Sequence, residues 1–321
     1  MTKADTPAYD RVESLGGALV HHGPANDRVY LMKCSFTEPR KDLSLLDELA
    51  RTHNYGKIFA KVPAPWGKEF LADGYREEGR IPSYYGSDDC LFLCRYRDAS
   101  RAVMSESDRA LADEVLALAR SKAPAFTASG APEAAGAGAP IAGPASGAGP
   151  GSGAGAGAGP EGAVPAGYSL RALGVEEAPL LAGLYREVFA SYPFPVHDSA
   201  YIRETMDADV AYFGAFRDGR LVAASSAEMD PATSSAEMTD FATLPGETGT
   251  GLAGALLAAM ERDMPRQGIS TLYTIARAFS HGMNISFARA GYEYGGTLVN
   301  NTDIFGRIES MNLWHKKAKA L

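Results

Sequence analysis

Cysteine is scarce in this 321-residue chain: Cys34, Cys90 and Cys94 cannot pair off evenly, which argues against a disulfide framework. Cys90 and Cys94 stand four apart without the other ligands a zinc site needs, so buried reduced thiols are expected, these two on one face of a strand. Long apolar runs are missing as well. No stretch of 18 apolar residues occurs, and the start MTKADTPAYDRVESLGG has no hydrophobic signal segment, so no membrane partner is expected and the cytoplasm is the expected compartment. Basic residues are in the minority. With 31 Lys plus Arg against 39 Asp plus Glu, the net charge of −8 offers a nucleic-acid backbone no counterion-releasing surface. His21, His22, His197 and His281 show neither ligand spacing nor a partner and read as structural, so no metal is expected.

Residues 125–166 run almost wholly in Ala, Gly, Pro and Ser, and from 130 onward contain no aromatic side chain. Such composition cannot offset the entropy of ordering, so the segment reads as a disordered tether with ends about 35 Å apart by random-coil scaling. It separates an N-terminal α/β domain, 1–124, from a second domain, 167–321. In the first, alternation and turn residues predict strands at 18–20, 29–33, 57–62 and 90–96 and helices at 43–53 and 66–73. The second begins with a strand at 168–171, helices at 176–189 and 199–206, and strands at 211–217 and 220–227 joined by Asp218-Gly219, a dipeptide suited to a tight hairpin. A strand at 236–243, a helix at 252–264, a strand at 269–276, a helix at 283–290 and two further strands complete it. The class is α/β with a mixed sheet. FLADGY (70–75) echoes FARAGY (287–292), which implies that the domains share half a fold; a common helix C-cap would give the same pattern.

The most informative stretch is DFATLPGETGTGLA (240–253), which leads into an amphipathic helix. Pro245 cannot donate to a sheet ladder and ends the strand or splays it away from a neighbour. Gly249 and Gly251 let the backbone turn into a helix N-terminus, whose free N–H groups suit a pyrophosphate. No Gly-Lys-Ser/Thr follows, so this is not a Walker loop, and the antiparallel run before it fits a dinucleotide fingerprint badly. An ordinary strand-to-helix turn is the competing reading.

Strand, Pro, Gly-x-Gly-x-Ala and helix, followed by NISFARAGY (284–292), resemble the acetyl-CoA site of the GNAT N-acetyltransferases. YPFPVHD (192–198), AEMTDFATLP (236–245), the run 275–302 and IESMNLWHK (308–316) resemble the β-lysine N-acetyltransferase family within that group, with further likeness at GYREEGRIPSYY and DDCLFLCRYR. The resemblance implies a GNAT domain preceded by a degenerate GNAT-like half, and a sheet split beside Pro245 with acetyl-CoA in the gap. It places the N–H groups of Thr243 and Leu244 on the pantetheine and thioester, those of Gly249, Gly251 and Ala253 on the pyrophosphate, and Asn284 on the pantetheine arm. Two positions depart from the family. Thr248 stands where Arg or Gln is common, and Phe287 where many relatives carry a Tyr to protonate the thiolate, leaving Tyr292, Tyr294, water or unassisted departure to serve.

A side-chain amine with pKa near 10.4 is only about one part in a thousand neutral at pH 7, so acetyl transfer needs a base or desolvation. Glu237 is assigned as base through a water and Asp240 as a contact to a substrate ammonium, an order the sequence leaves open. Strand alternation turns the two to opposite faces unless a bulge intervenes. Glu228 is a third carboxylate, Arg277 a receptor for an acceptor carboxylate or a surface charge, and Tyr192 and Phe194 pocket lining or core. The expected activity is acetyl-CoA-dependent conversion of β-lysine to N6-acetyl-β-lysine, a compatible solute, by direct amine attack in a ternary complex. Another small amine such as lysine or a polyamine, or a non-catalytic acetyl-CoA sensor, are the alternatives. The first domain has no Pro-x-x-x-Gly-x-Gly equivalent and would shape the pocket or support a homodimer.

Overall fold

A computed structural model of the chain describes residues 10–124, 162–190, 192–304 and 306–319. Apart from 162–166, the expected tether lies outside the described residues. The N-terminal half comprises β1 (Arg11–Leu15), β2 (Ala18–Gly23), β3 (Arg28–Lys33), α1 (Pro39–His53), β4 (Lys57–Pro63), α2 (Gly67–Ala72), β5 (Arg76–Tyr85), β6 (Asp88–Tyr96) and α3 (Glu106–Ser121). The C-terminal half comprises β7 (Ser169–Leu173), α4 (Ala178–Val188), α5 (Ser199–Asp207), β8 (Val210–Arg217), β9 (Arg220–Asp230), β10 (Ser235–Thr243), α6 (Leu252–Asp263), β11 (Thr271–Arg277), α7 (His281–Arg289), β12 (Glu293–Ile304) and β13 (Arg307–Lys317).

Every predicted element forms, and β1, β5 and α3 add to them. β5 escapes sequence patterning because REEGRIPSYY holds a Gly and a Pro, and register shifts at Glu77/Gly79 and Ile81/Tyr85 break its alternation. α3 is Ala-rich, capped by Ser105 Oγ accepting from the Asp108 amide (3.1 Å), and buries only the small face Ala112, Val115 and Ala119. Its partner is distant in sequence: it packs on α7 in the other half, with an ion pair Asp108–Arg307 (2.5 Å) and a 3.8 Å contact between Glu114 and His281.

All thirteen strands form one mixed sheet in the order β1-β2-β3-β4-β6-β5-β12-β13-β11-β10-β9-β8-β7. The order repeats outward from the β5/β12 joint. β3 runs parallel to β4 as β10 does to β11, the other neighbours are antiparallel, α1 and α6 make the crossovers, and α2 and α7 precede β5 and β12. The N-terminal half thus repeats the C-terminal topology without β7, α4 and α5. The FLADGY and FARAGY echoes have the same geometry. Gly74 (φ 83°) and Gly291 (φ 81°) end α2 and α7 in left-handed turns, and Phe70–Tyr75 and Phe287–Tyr292 pack edge-on at 5.1 and 5.0 Å.

One apolar cluster fills each half, and a third lies between them, joining Tyr30, Phe59, Ile81, Tyr84 and Phe92 to Tyr273, Leu298, Met311 and Leu313. Cys90 and Cys94 share the β6 face within this third cluster; all three thiols are free and buried, and burial pushes Cys34 and Cys90 up to about 12. The joint is also polar. Glu78 accepts from the Val299 amide (3.0 Å), Lys57 donates to the Val299 carbonyl (2.7 Å) and Arg28 to the Asn301 carbonyl (2.5 Å). Among the described residues no helix is long and apolar enough to cross a membrane, and no group of three or more His, Cys, Asp or Glu is placed to hold a metal.

Candidate active site

β10 and β11 pair in parallel only at 235–237, then part, opening a gap on the C-terminal side of Glu237. On its other edge β10 stays paired with β9, but the register shifts between Thr239 and Ala242, and Asp240 takes a left-handed φ of 53°. This bulge turns Asp240 onto the face it would otherwise avoid. Its carboxylate accepts from Ser226 Oγ (2.7 Å) and from the Tyr192 hydroxyl, while Ser226 and Glu228 lie opposite Thr239 and Glu237 on one face. Glu228, Glu237 and Asp240 therefore share one pocket.

Asp240 is buried, whereas Glu228 and Glu237 keep some exposed surface. Burial raises all three carboxyls, Glu228 well above the usual range with further upward push from Asp240 and Glu237. Glu237 is held back by the Lys61 ammonium, the Tyr273 hydroxyl and the Ile275 amide, and Asp240 by Ser226 and Tyr192. Burial and mutual repulsion disfavour the charged forms, and a cationic guest is the natural partner for the charge these carboxyls can develop. Tyr185, Tyr192 and Tyr212 surround them; burial first, then Asp240, raises each phenol.

The other half closes this pocket. Lys61 on β4 donates to the hydroxyls of Tyr84 (3.3 Å) and Tyr273 (3.2 Å), and Ser235 Oγ donates to Tyr84 (2.8 Å). His21 on β2 packs at a tilt against Phe194 at 5.0 Å, held neutral by burial and then Arg28, which bring its pKa down to about 3. Neither ring nitrogen of this buried His has a hydrogen-bond partner among the described residues. Tyr273 lies in register with Glu237; it, Lys61, Tyr84 and His21 carry no sequence signal for this site, because their role depends on strand register and on how the halves fold together.

Beyond the gap, Gly249 (φ 78°) and Gly251 (φ 89°) turn the chain into α6, which has no side-chain cap. The first intrahelical bond runs from the Ala255 amide to the Gly251 carbonyl (3.1 Å), so the amides of the first turn, Ala253 included, are left for a ligand. A Cβ at Gly246, Gly249, Gly251 or Gly254 would meet nothing within 4 Å, so the loop's backbone faces open space and can be approached closely. This cradle fits the diphosphate of coenzyme A. Thr248 is exposed, its hydroxyl bonded only to the Pro245 carbonyl (2.9 Å).

Three expectations are revised by hydrogen-bond geometry and a fourth by packing. The Leu244 amide is taken by the Val222 carbonyl (2.9 Å), so alternation leaves Thr243 to point its N–H into the gap. Asn284 is saturated: its amide donates to the carbonyls of Arg277 (2.9 Å) and Ser280 (2.7 Å), and its oxygen accepts from Asn312 and Trp314 (both 2.9 Å). It ties β11, α7 and β13 together and has no donor left for pantetheine. Arg277 is clamped by Glu309 through two bonds of 2.8 and 2.9 Å. Tyr292 packs against Lys316 near Glu261, nine residues into α6 or roughly 13 Å from its N-terminus, and Tyr294 against Trp314. Phe287 is buried between Phe241 and Tyr292.

The model of the Acetyltransferase (GNAT) family matches residues 181–292, which contain the split strands and the loop. The Beta-lysine N(6)-acetyltransferase of Methanococcus maripaludis is 33% identical over 311 residues, 96% of this chain and 98% of that one. The chain belongs to the GNAT acetyltransferase family. A second Beta-lysine N(6)-acetyltransferase, from Methanosarcina mazei, is 32% identical over 269 residues, 84% of this chain and 94% of its own. The N-acetyltransferase YodP of Bacillus subtilis is 40% identical over 150 residues, 47% of this acetyltransferase and 54% of YodP. This GNAT protein is an N-acetyltransferase that uses acetyl-CoA. In GNAT terms the gap at 238–243 lies between a loop suited to the diphosphate and a pocket of carboxyls suited to an amine.

Proposed function

We propose that this acetyltransferase acetylates the distal amine of β-lysine, yielding N6-acetyl-β-lysine by direct attack in a ternary complex. The observation that carries the reading is the trio Glu228, Glu237 and Asp240 on one face at the mouth of the split, carboxyls matched to a substrate with two ammonium groups. The names of two relatives aligned over most of the chain support it.

In this reading acetyl-CoA supplies the acetyl thioester. The α6 loop and the Thr243 amide hold it, the amide also polarising the carbonyl. Glu237, raised toward neutrality by burial, takes the amine proton through a water, while Asp240 and Glu228 hold the second ammonium with Tyr192 and Phe194 along the wall. Phe287 has no proton to give, so water serves the departing thiolate. Burial raises the thiols of Cys34, Cys90 and Cys94 and so disfavours the thiolate an acetyl-enzyme needs, which supports direct transfer. The product would carry one ammonium and one carboxylate, and its zero net charge suits a cytoplasmic compatible solute.

The test compares kcat/KM for β-lysine, α-lysine, cadaverine and spermidine, with mass-spectrometric location of the acetyl group. β-Lysine should lead and the acetyl should sit on N6. Leadership by cadaverine or spermidine, or acetyl on the β-amine, would overturn the acceptor assignment, and acetyl-CoA binding without CoA release would favour a sensor.

A further inference from the structure

The clamp of Glu309 on Arg277 leaves the acceptor's carboxylate in need of another receptor. We infer that Lys61, contributed by β4 of the N-terminal half, binds this carboxylate and so sets the preference for an amino acid over a plain diamine. The inference rests on the reading that the acceptor is a diamino acid.

Three observations converge on Lys61. It is 6% exposed, yet its hydrogen-bond partners among the described residues are two neutral phenols, Tyr84 and Tyr273, with no carboxylate within 4 Å. An ammonium offers three donors, two of which are used here on hydroxyls, so a third is left for an anion. Second, Lys61 lines a cavity of about 670 Å³ between the halves, together with Lys33, Tyr84, Asp230 and Lys317. Its two other ammonium groups are committed, Lys33 to Asp230 (3.2 Å) and Lys317 to the Ser83 carbonyl (2.8 Å) and Thr271 Oγ1 (2.7 Å). Among the described residues that line the cavity, Lys61 is the cation bonded to neither a carboxylate nor a backbone carbonyl.

Third, the charges are ordered along the site. Tyr273 bonds Lys61 and lies in register with Glu237, and the Lys61 charge bears on both Glu237 and Glu228. A positive group on the cavity side and carboxyls on the gap side match a molecule with a carboxylate at one end and ammonium groups toward the other. Uncharged or purely cationic amines would leave Lys61 unmatched. In the repeated topology Lys61 belongs to the half without the Gly-x-Gly loop, so one half holds the acetyl donor and the acceptor's ammonium groups while the other reads the acceptor's carboxylate.

The experiment measures kcat/KM for β-lysine and for 1,4-diaminopentane, its decarboxylated counterpart, in wild type, Lys61→Met and Lys61→Arg. Wild type should favour β-lysine by about ten- to a hundredfold, the worth of a buried charged hydrogen bond. In Lys61→Met this ratio should collapse to about threefold or less, mainly through KM for β-lysine, while Lys61→Arg keeps most of it. A wild-type ratio retained in Lys61→Met overturns the assignment of Lys61 alone. A wild type that uses 1,4-diaminopentane as well as β-lysine overturns the acceptor reading, and Lys61 with it. Should Lys61→Met fail to fold, Lys61→Gln, which keeps donors for both phenols and removes the charge, is read in the same way.

Discussion

At Glu237 opposed influences meet on one carboxyl: burial raises it, while Lys61, Tyr273 and the Ile275 amide pull it back, with the net shift upward. A base with a pKa nearer the working pH transfers protons more effectively than an ordinary surface carboxylate. Glu237→Gln is therefore expected to lower kcat by about a hundredfold or more, the usual worth of a general base, with acetyl-CoA affinity by calorimetry unchanged. The pH profile has a definite sign. Protonation removes the base, so wild-type kcat/KM should fall as pH drops through a value above the ordinary carboxylate range, and that limb should vanish in the variant. A Glu237→Gln enzyme with wild-type kcat would pass the role to Asp240 or Glu228, whose titrations are linked to that of Glu237.

The turn into α6 is built on glycines because the chain must take left-handed angles while leaving its amides bare. Gly251 sits at φ 89° with open space beside it, so a side chain there would occupy the volume a diphosphate needs. Gly251→Val should weaken acetyl-CoA at least tenfold and lower the melting temperature, since a left-handed non-glycine residue costs about 1–2 kcal/mol. Thr248→Arg places a cation on the exposed rim and should preserve or tighten binding. Calorimetry on the two folded variants decides, and unchanged affinity in Gly251→Val would put the cofactor elsewhere. The bulge at Asp240 is the corresponding device of β10, bringing the carboxylate round to Ser226 and the face of Glu237.

The halves depend on each other at the β5/β12 joint. Gly296 lies at φ 144°, and a Cβ there would meet the Glu78 carbonyl oxygen at 2.1 Å and Gly79 Cα at 2.6 Å. Gly296→Ala should cost about 2–4 kcal/mol, the sum of backbone strain and overpacking, read as a lower urea midpoint. If the joint also sets the acceptor pocket, KM for the amine should rise more than KM for acetyl-CoA, because Lys61 and His21 move with the N-terminal half. An unaffected urea midpoint would show that the joint yields without strain. Separating the halves would strand buried charge: Lys57, Glu78 and Arg28 bond β12 across the joint.

The sequence by itself determined what local physics controls. Periodicity marked most strands and helices, Asp218-Gly219 marked a hairpin whose residues take φ 50° and 78°, and Gly249 and Gly251 marked the bare helix N-terminus. The tertiary structure decided what depends on partners far along the chain. Asn284 spends its amide on β11, α7 and β13, Arg277 is claimed by Glu309 on β13, and α3 docks on α7 through a face too small to stand out in sequence. Alternation alone set Asp240 against Glu237, and only the bulge reunites them. Lys61 reaches Tyr273 across 212 positions of sequence, a contact created by the closing of one half on the other, which no local pattern encodes.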